Sequence, residues 1–212
     1  MSVLIVGAGG LGSPVAAILK TAGVADLTVV DPDAVELENL HRQILFHDAD
    51  IGRAKADVVA QRLAVTTRRM RVDAANGREL LAGFDCVVDG TDSFATKFLL
   101  NDLALDVGVP LVHAAAAAFR GQVLVVRRGG PCLRCLLPIP PDAATDECST
   151  TGILGPAAGT VAALAAAQVL RVLGDEPVGG AVLFADLATG RLHESRLDPR
   201  PDCRCRVRHG RA

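Results

Sequence analysis

A chain of 212 residues carrying a formal charge of −2 is sized for one domain with one buried core, and it leaves little room for a separate substrate domain. Half of the residues are apolar and only 3% are aromatic, so the interior must be built from Ala, Val and Leu, without Trp or Tyr. The near-neutral balance excludes the extended basic surface a nucleic-acid binder needs, and the locally basic tail from Arg196 to Arg211 reads as solvated.

Strand-like runs at 2–7, 27–31, 84–89 and 109–114 alternate with helical patterns near 11–22, 53–66 and 93–107. That alternation predicts right-handed crossovers and an α/β fold with a doubly wound, Rossmann-like, mainly parallel sheet. Residues 70–74 are a candidate for one more strand. The first apolar stretch is four residues long and ends in glycines, which does not make a secretory signal. Beyond about residue 115 the pattern changes: 121–127, 180–186 and 191–197 read as strands of an antiparallel meander, with a helix at 156–173 between them. That helix is alanine-rich, but Pro156, Gly159, Gln168 and Arg171 interrupt it, so no membrane span is expected. The whole of 1–212 then forms one domain, a nucleotide-binding half over 1–115 and an antiparallel half over 116–212. A cytoplasmic setting is expected, in which the six cysteines serve as ligands or reactive thiols rather than disulfides.

The first strand runs into Gly7-Ala8-Gly9-Gly10-Leu11-Gly12, and Asp31 follows 19 residues after Gly12. Glycines here allow a tight turn and close approach of backbone to phosphate, the next helix offers free N–H groups, and Asp31 is placed to accept from ribose hydroxyls. Alone, this pattern fits an NAD-dependent oxidoreductase as well as an adenine-nucleotide enzyme. The next segment, with Asp33, Asn39, Arg42, Gln43, Arg53 and Lys55, suits a triphosphate, whose charges need Arg and Lys at fixed positions. The plainer alternative puts Arg42 and Lys55 on exposed helix faces. Asp92 lies just past the strand 84–89, on the same sheet edge as the glycines, where a carboxylate can hold a magnesium ion bridging phosphates. Alternatively Asp92 or Ser93 caps the helix that follows.

Cys132 and Cys135, two residues apart, and Cys203 and Cys205, one apart, form two pairs suited to a tetrahedral zinc, although the second gap is shorter than usual. A redox Cys-x-x-Cys competes for the first pair, but Pro131 and Pro138 favour a knuckle in a loop. Cys148 stands alone in the polar segment 137–155, before a helix, and reads either as a buried small hydrophobe or as an activated nucleophile.

Together these motifs, in this order along nearly the whole chain, resemble the ThiF/MoeB/HesA family, bacterial relatives of the ubiquitin-activating enzymes. The resemblance implies an ATP-dependent adenylyltransferase that converts the C-terminal glycine of a small ubiquitin-like sulfur-carrier protein, ending in Gly-Gly, into an acyl-adenylate for sulfur transfer. It makes Gly7, Gly9, Gly10 and Gly12 the nucleotide loop and Asp31 the ribose ligand. Asn39, Arg42 and Lys55 become the phosphate clamp, with Asp33 and Gln43 beside them, and Asp92 the magnesium carboxylate. It implies zinc on Cys132, Cys135, Cys203 and Cys205, a covalent role for Cys148, a homodimer, and a sulfurtransferase or cysteine desulfurase as sulfur donor. The family pattern also puts a helix with a triphosphate-binding arginine ahead of the first strand, where this sequence starts almost on the strand itself. A non-catalytic nucleotide-binding scaffold or partner subunit is the alternative that departure raises.

Overall fold

The computed structural model describes residues 1–139 and 152–206. In chain order these form β1 (Ser2–Val6), α1 (Gly12–Thr21), β2 (Asp26–Val30), α2 (Lys55–Leu63), β3 (Thr66–Arg68), α3 (Gly77–Ala82) and β4 (Cys86–Asp89). Then come α4 (Phe94–Val107), β5 (Leu111–Ala117), β6 (Arg120–Val126), α5 (Leu133–Leu136), α6 (Gly155–Leu173), β7 (Ala181–Asp186) and β8 (Arg191–Arg196). The strands make one eight-stranded sheet in the order β3-β2-β1-β4-β5-β6-β7-β8. Pairing is parallel from β3 through β5 and antiparallel from β5 through β8, as the change in sequence pattern predicts.

The sheet splits the interior into two layers, where composition alone suggested a single core. Alternate residues of each strand face opposite sides. Val3, Ile5, Val29, Val88, Val112 and Ala114 pack with α1, α2 and α6, while Leu4, Val6, Val87, Leu111 and Leu124 pack with α3 and α4. The order reverses at β1, whose neighbours are β2 and β4, and ligands of open α/β sheets bind at such a switch point.

α6 is long and apolar enough to cross a membrane by length and composition. Instead Ala157, Ala158, Val161, Ala162, Ala165, Ala166 and Val169 are fully buried, and the helix lies against α1, β5 and β6. Small side chains let it approach the sheet closely, and each fully buried Val there contributes about 1.5–3 kcal/mol.

Two expectations from periodicity are corrected. The helix read as reaching residue 66 ends at Leu63, where Ala64 turns left-handed with φ 50°, and the β-branched Thr66 and Thr67 go into β3. Residues 70–74 form no strand, because the Asp73 carboxylate accepts from Ala75 N at 2.8 Å and Asn76 N at 3.0 Å, and that turn launches α3, a helix the periodicity did not show.

Candidate active site

The glycine turn between β1 and α1 is dictated by space. Gly7 has φ +94°, and a Cβ there would stand 2.8 Å from the Gly90 carbonyl oxygen; a Cβ on Gly12 would collide with the Gly7 carbonyl. Glycine is therefore required where β1, α1 and the end of β4 meet back to back. Gly12→Ala is expected to lower the melting temperature and to abolish ATP binding together, by thermal unfolding and calorimetry; unchanged binding would show that the turn tolerates displacement.

Asp31, at the end of β2, is only 4% exposed, and its carboxylate accepts from Ala8 N at 2.6 Å and Asp33 N at 2.8 Å. Burial raises its pKa, and those two N–H groups oppose the rise. In this structure Asp31 thus braces the glycine turn, with its remaining lone pairs left for a ribose. The segment after it folds back over the same edge. Arg42 lies beside Gly10, whose Cβ would be 3.0 Å from the Arg42 carbonyl, and its guanidinium donates to Asn39 Oδ1 at 2.5 Å. Gln43 is 3% exposed, sits over Gly9, and its Oε1 has no partner among the described residues. An orphaned buried acceptor beside a glycine turn suits a donor from a ligand.

Lys55 begins α2 and is 6% exposed, so it does not lie on an open helix face. Its ammonium lies 3.6 Å from the exposed Asp33 carboxylate, its one ion-pair partner among the described residues, and its charge also acts to lower the pKa of the buried Asp31. Arg53, by contrast, is committed to Asp50 at 2.8 Å and to Gln61 at 2.7 Å, where it pins the loop. Asp92 is exposed at the start of α4, and the capping role falls to Ser93, whose hydroxyl accepts from Thr96 N at 3.3 Å. Asp92 is left open toward solvent at the sheet edge. Gly7, Gly9, Gly10, Gly12, Asp31, Asp33, Asn39, Arg42, Gln43, Lys55 and Asp92 therefore share one edge of the sheet, while Cys148 lies outside the described residues.

Sequence reasoning missed a buried charged group beneath that edge. Asp89 closes β4 in register with Val6 and His113, and it is 0% exposed. His113 Nδ1 lies 2.7 Å from its carboxylate and Lys97 Nζ 3.4 Å, while Lys97 also donates to the Ala114 carbonyl at 2.8 Å. Burial opposes the charge on Asp89, yet Lys97 and the His113 hydrogen bond hold its pKa to about 2. Burial lowers the His113 pKa, so the ring is neutral and Nδ1–H is the donor. Asp89 ends and His113 interrupts otherwise apolar strands, CVVD and LVHAAAA, and a polar residue in such a buried run is the signal that could have found them.

On the α4 face, Cys132, Cys135, Cys203 and Cys205 bring their sulfurs within 4.8 Å of one another, with Cys132–Cys203 at 3.6 Å and Cys135–Cys205 at 3.5 Å. A tetrahedron with zinc–sulfur bonds of about 2.3 Å has edges of about 3.8 Å, so the four thiols fit that ion. The short gap of the second pair is accommodated by a helical turn over Arg204–Arg206. The first pair forms no open knuckle: Cys132 precedes the four-residue helix α5, and the Cys135 N–H donates to the Cys132 carbonyl at 2.9 Å. Burial pushes the Cys132 thiol up to about 12 without a metal, a penalty that binding of a divalent cation removes. Arg134 and Arg204 both grip Asp102 of α4, at 2.8 and 3.2 Å, tying the two arms to that helix.

The chain matches the ThiF family over residues 1–207. It belongs to that family. Among its relatives, the SAMP-activating enzyme E1 of Haloferax volcanii is 41% identical over 95% of this chain and 78% of its own length. The sulfur carrier protein adenylyltransferase of Thermus thermophilus is 39% identical over 95% of this chain and 80% of its own. The adenylyltransferase and sulfurtransferase MOCS3 of Caenorhabditis briggsae is 38% identical over 97% of this chain but only 54% of its own length. Among solved structures, E. coli MccB with ATP superposes with a TM-score of 0.82 over 97% of this chain and 66% of that one, at 22% identity, which shows the shared fold. With adenylyltransferases as the long matches, the expectation of a ThiF-family adenylyltransferase stands and that of an oxidoreductase falls away.

Proposed function

We propose that this ThiF-family protein adenylates the C-terminal glycine of a small ubiquitin-like sulfur carrier at the glycine-turn edge, in a cytoplasmic setting and as a homodimer. The observation that carries the reading is the buried Lys55 ammonium, held at the sheet edge and paired, among the described residues, with a loose, half-solvated Asp33, in a chain whose relatives are adenylyltransferases. ATP would lie with its phosphates over Gly7 to Gly12 and its ribose toward Asp31. In the reaction a carboxylate oxygen of the carrier bonds to the α-phosphorus as the bond from that phosphorus to the bridging oxygen breaks, and pyrophosphate leaves. Two anions must meet, so the protein's work is positioning and counter-charge rather than base catalysis. Lys55 and Arg42 supply positive charge, Asn39 holds the Arg42 guanidinium in place, and Gln43 offers its free Oε1 to a donor on the nucleotide. A magnesium ion bound by Asp92 would screen the remaining phosphate charge.

Zinc on the four cysteines has a structural part, holding the C-terminal arm to α4. Cys148 belongs to a later step, receiving the activated carboxyl carbon as a thioester with AMP as leaving group, before sulfur arrives from a sulfurtransferase or cysteine desulfurase.

The test is ATP–pyrophosphate exchange with a panel of small carriers ending in Gly-Gly, beside the same carriers with that dipeptide removed. Exchange is expected with at least one intact carrier and with no truncated one. ATP binding without exchange for any carrier would instead support a non-catalytic nucleotide-binding subunit.

A further inference from the structure

Asp89, Lys97 and His113 form a buried charged group that touches no open surface, yet its carboxylate reaches the nucleotide edge through Thr91. Asp89 Oδ1 accepts from Thr91 N at 3.1 Å and from Thr91 Oγ1 at 2.7 Å, which folds the chain sharply between the end of β4 and Asp92. The same turn is locked against the glycine loop on its other side. The Gly90 N–H donates to the Val6 carbonyl at 2.9 Å, and a Cβ on Gly90 would stand 2.9 Å from Gly12 Cα. The Gly90 side of the turn is held to the glycine loop by these contacts of its own, so loosening the Thr91 side shifts Asp92 and leaves the loop in place.

The composition of the group is telling. A buried carboxylate needs counter-charge, which Lys97 supplies from the first turn of α4. His113 adds a neutral donor at 2.7 Å although its Nε2 then has no partner among the described residues. The ring accepts an unsatisfied nitrogen in order to fix the Asp89 carboxylate, whose other oxygen then faces Thr91. Thr91 itself is not needed for the core, since it is only partly buried.

We infer that Asp89, fixed by Lys97 and His113, is a positioning residue that sets Asp92 for the metal–nucleotide complex through Thr91. This rests on the reading of Asp92 as the magnesium carboxylate. The experiment measures ATP binding to the full chain by calorimetry, with and without Mg2+, and thermal unfolding of each variant.

In the parent, Mg2+ is expected to tighten ATP binding by about tenfold, a usual size for coupling between two ligands. Asp92→Ala should abolish that tightening. Thr91→Val, which removes one donor at constant volume, should reduce it severalfold while leaving ATP affinity without Mg2+ and the melting temperature near the parent's; Thr91→Ser should restore it. Asp89→Asn should behave as Thr91→Val does if it folds, and Thr91→Val carries the test if it does not. A parent without the Mg2+ effect, or an Asp92→Ala variant that keeps it, overturns the Asp92 reading and this inference with it. Loss in Asp92→Ala with full retention in Thr91→Val overturns this inference alone.

Discussion

Lys55→Ala is expected to lower carrier-dependent pyrophosphate exchange by about two orders of magnitude or more, equivalent to about 2.7 kcal/mol of lost transition-state stabilisation. The size follows from where the charge sits. Lys55 is 6% exposed, and its one ion-pair partner among the described residues, Asp33, keeps its own side chain 57% exposed at 3.6 Å. That pair contributes little by itself, so most of the ammonium's field is available to phosphate oxygens, in surroundings where screening by water is weak. ATP affinity should fall less than the rate, because charge concentrates on the bridging oxygen only as pyrophosphate departs. The fold should hold, since Asp33 is exposed enough to be hydrated without its partner and the buried Asp31 keeps the N–H groups of Ala8 and Asp33. Exchange at the parent rate would remove Lys55 from the proposed clamp.

Stripping the metal is expected to have the largest effect on stability. Purified protein should carry close to one zinc per chain, and strong chelation should lower its melting temperature by about ten degrees or more, on the order expected when a ligand whose Kd lies far below its concentration is withdrawn. The four thiols should titrate with a disulfide reagent only after chelation. Cys203→Ser should reproduce the loss of metal and of stability, whereas exposed Leu192→Ala in β8 should not. Protein prepared without chelator that holds no zinc and shows four reactive thiols would remove this centre from the account.

Much of the architecture was legible because hydrophobic periodicity and glycine placement act locally. The run Val3-Leu4-Ile5-Val6 into glycines could only be a buried strand entering a tight turn, and the change at about residue 115 marked the change from parallel to antiparallel pairing. The cysteine spacing likewise indicated four sulfurs that the fold brings together. Other features were hidden for equally physical reasons. Val65 and Thr66 follow α2 closely enough to read as its last turn, and only pairing with β2 settles Thr66–Arg68 as a strand. Asp89, Lys97 and His113 are 8 and 24 residues apart, a separation that no periodicity connects; the sheet register and the first turn of α4 bring them together. Asp31 was recognisable as a nucleotide-site residue, but its hydrogen bonds to Ala8 and Asp33, which make it part of the turn's own framework, depend on β1 and β2 lying side by side.

The order of the cysteines along the chain has a consequence for biosynthesis. Cys132 and Cys135 emerge early and wait through α6, β7 and β8 for Cys203 and Cys205, contacts spanning 71 and 70 residues. Closing so long a loop is slow and entropically costly, and nearly all of its reward arrives with the last thiolates. A nascent chain can therefore form its nucleotide edge while its second half is still being made, but it cannot complete the sulfur tetrahedron until translation has passed Cys205. Products cut short after β8 would carry a finished glycine turn and two of the four thiols, exposing them to quality control as reactive, metal-hungry fragments.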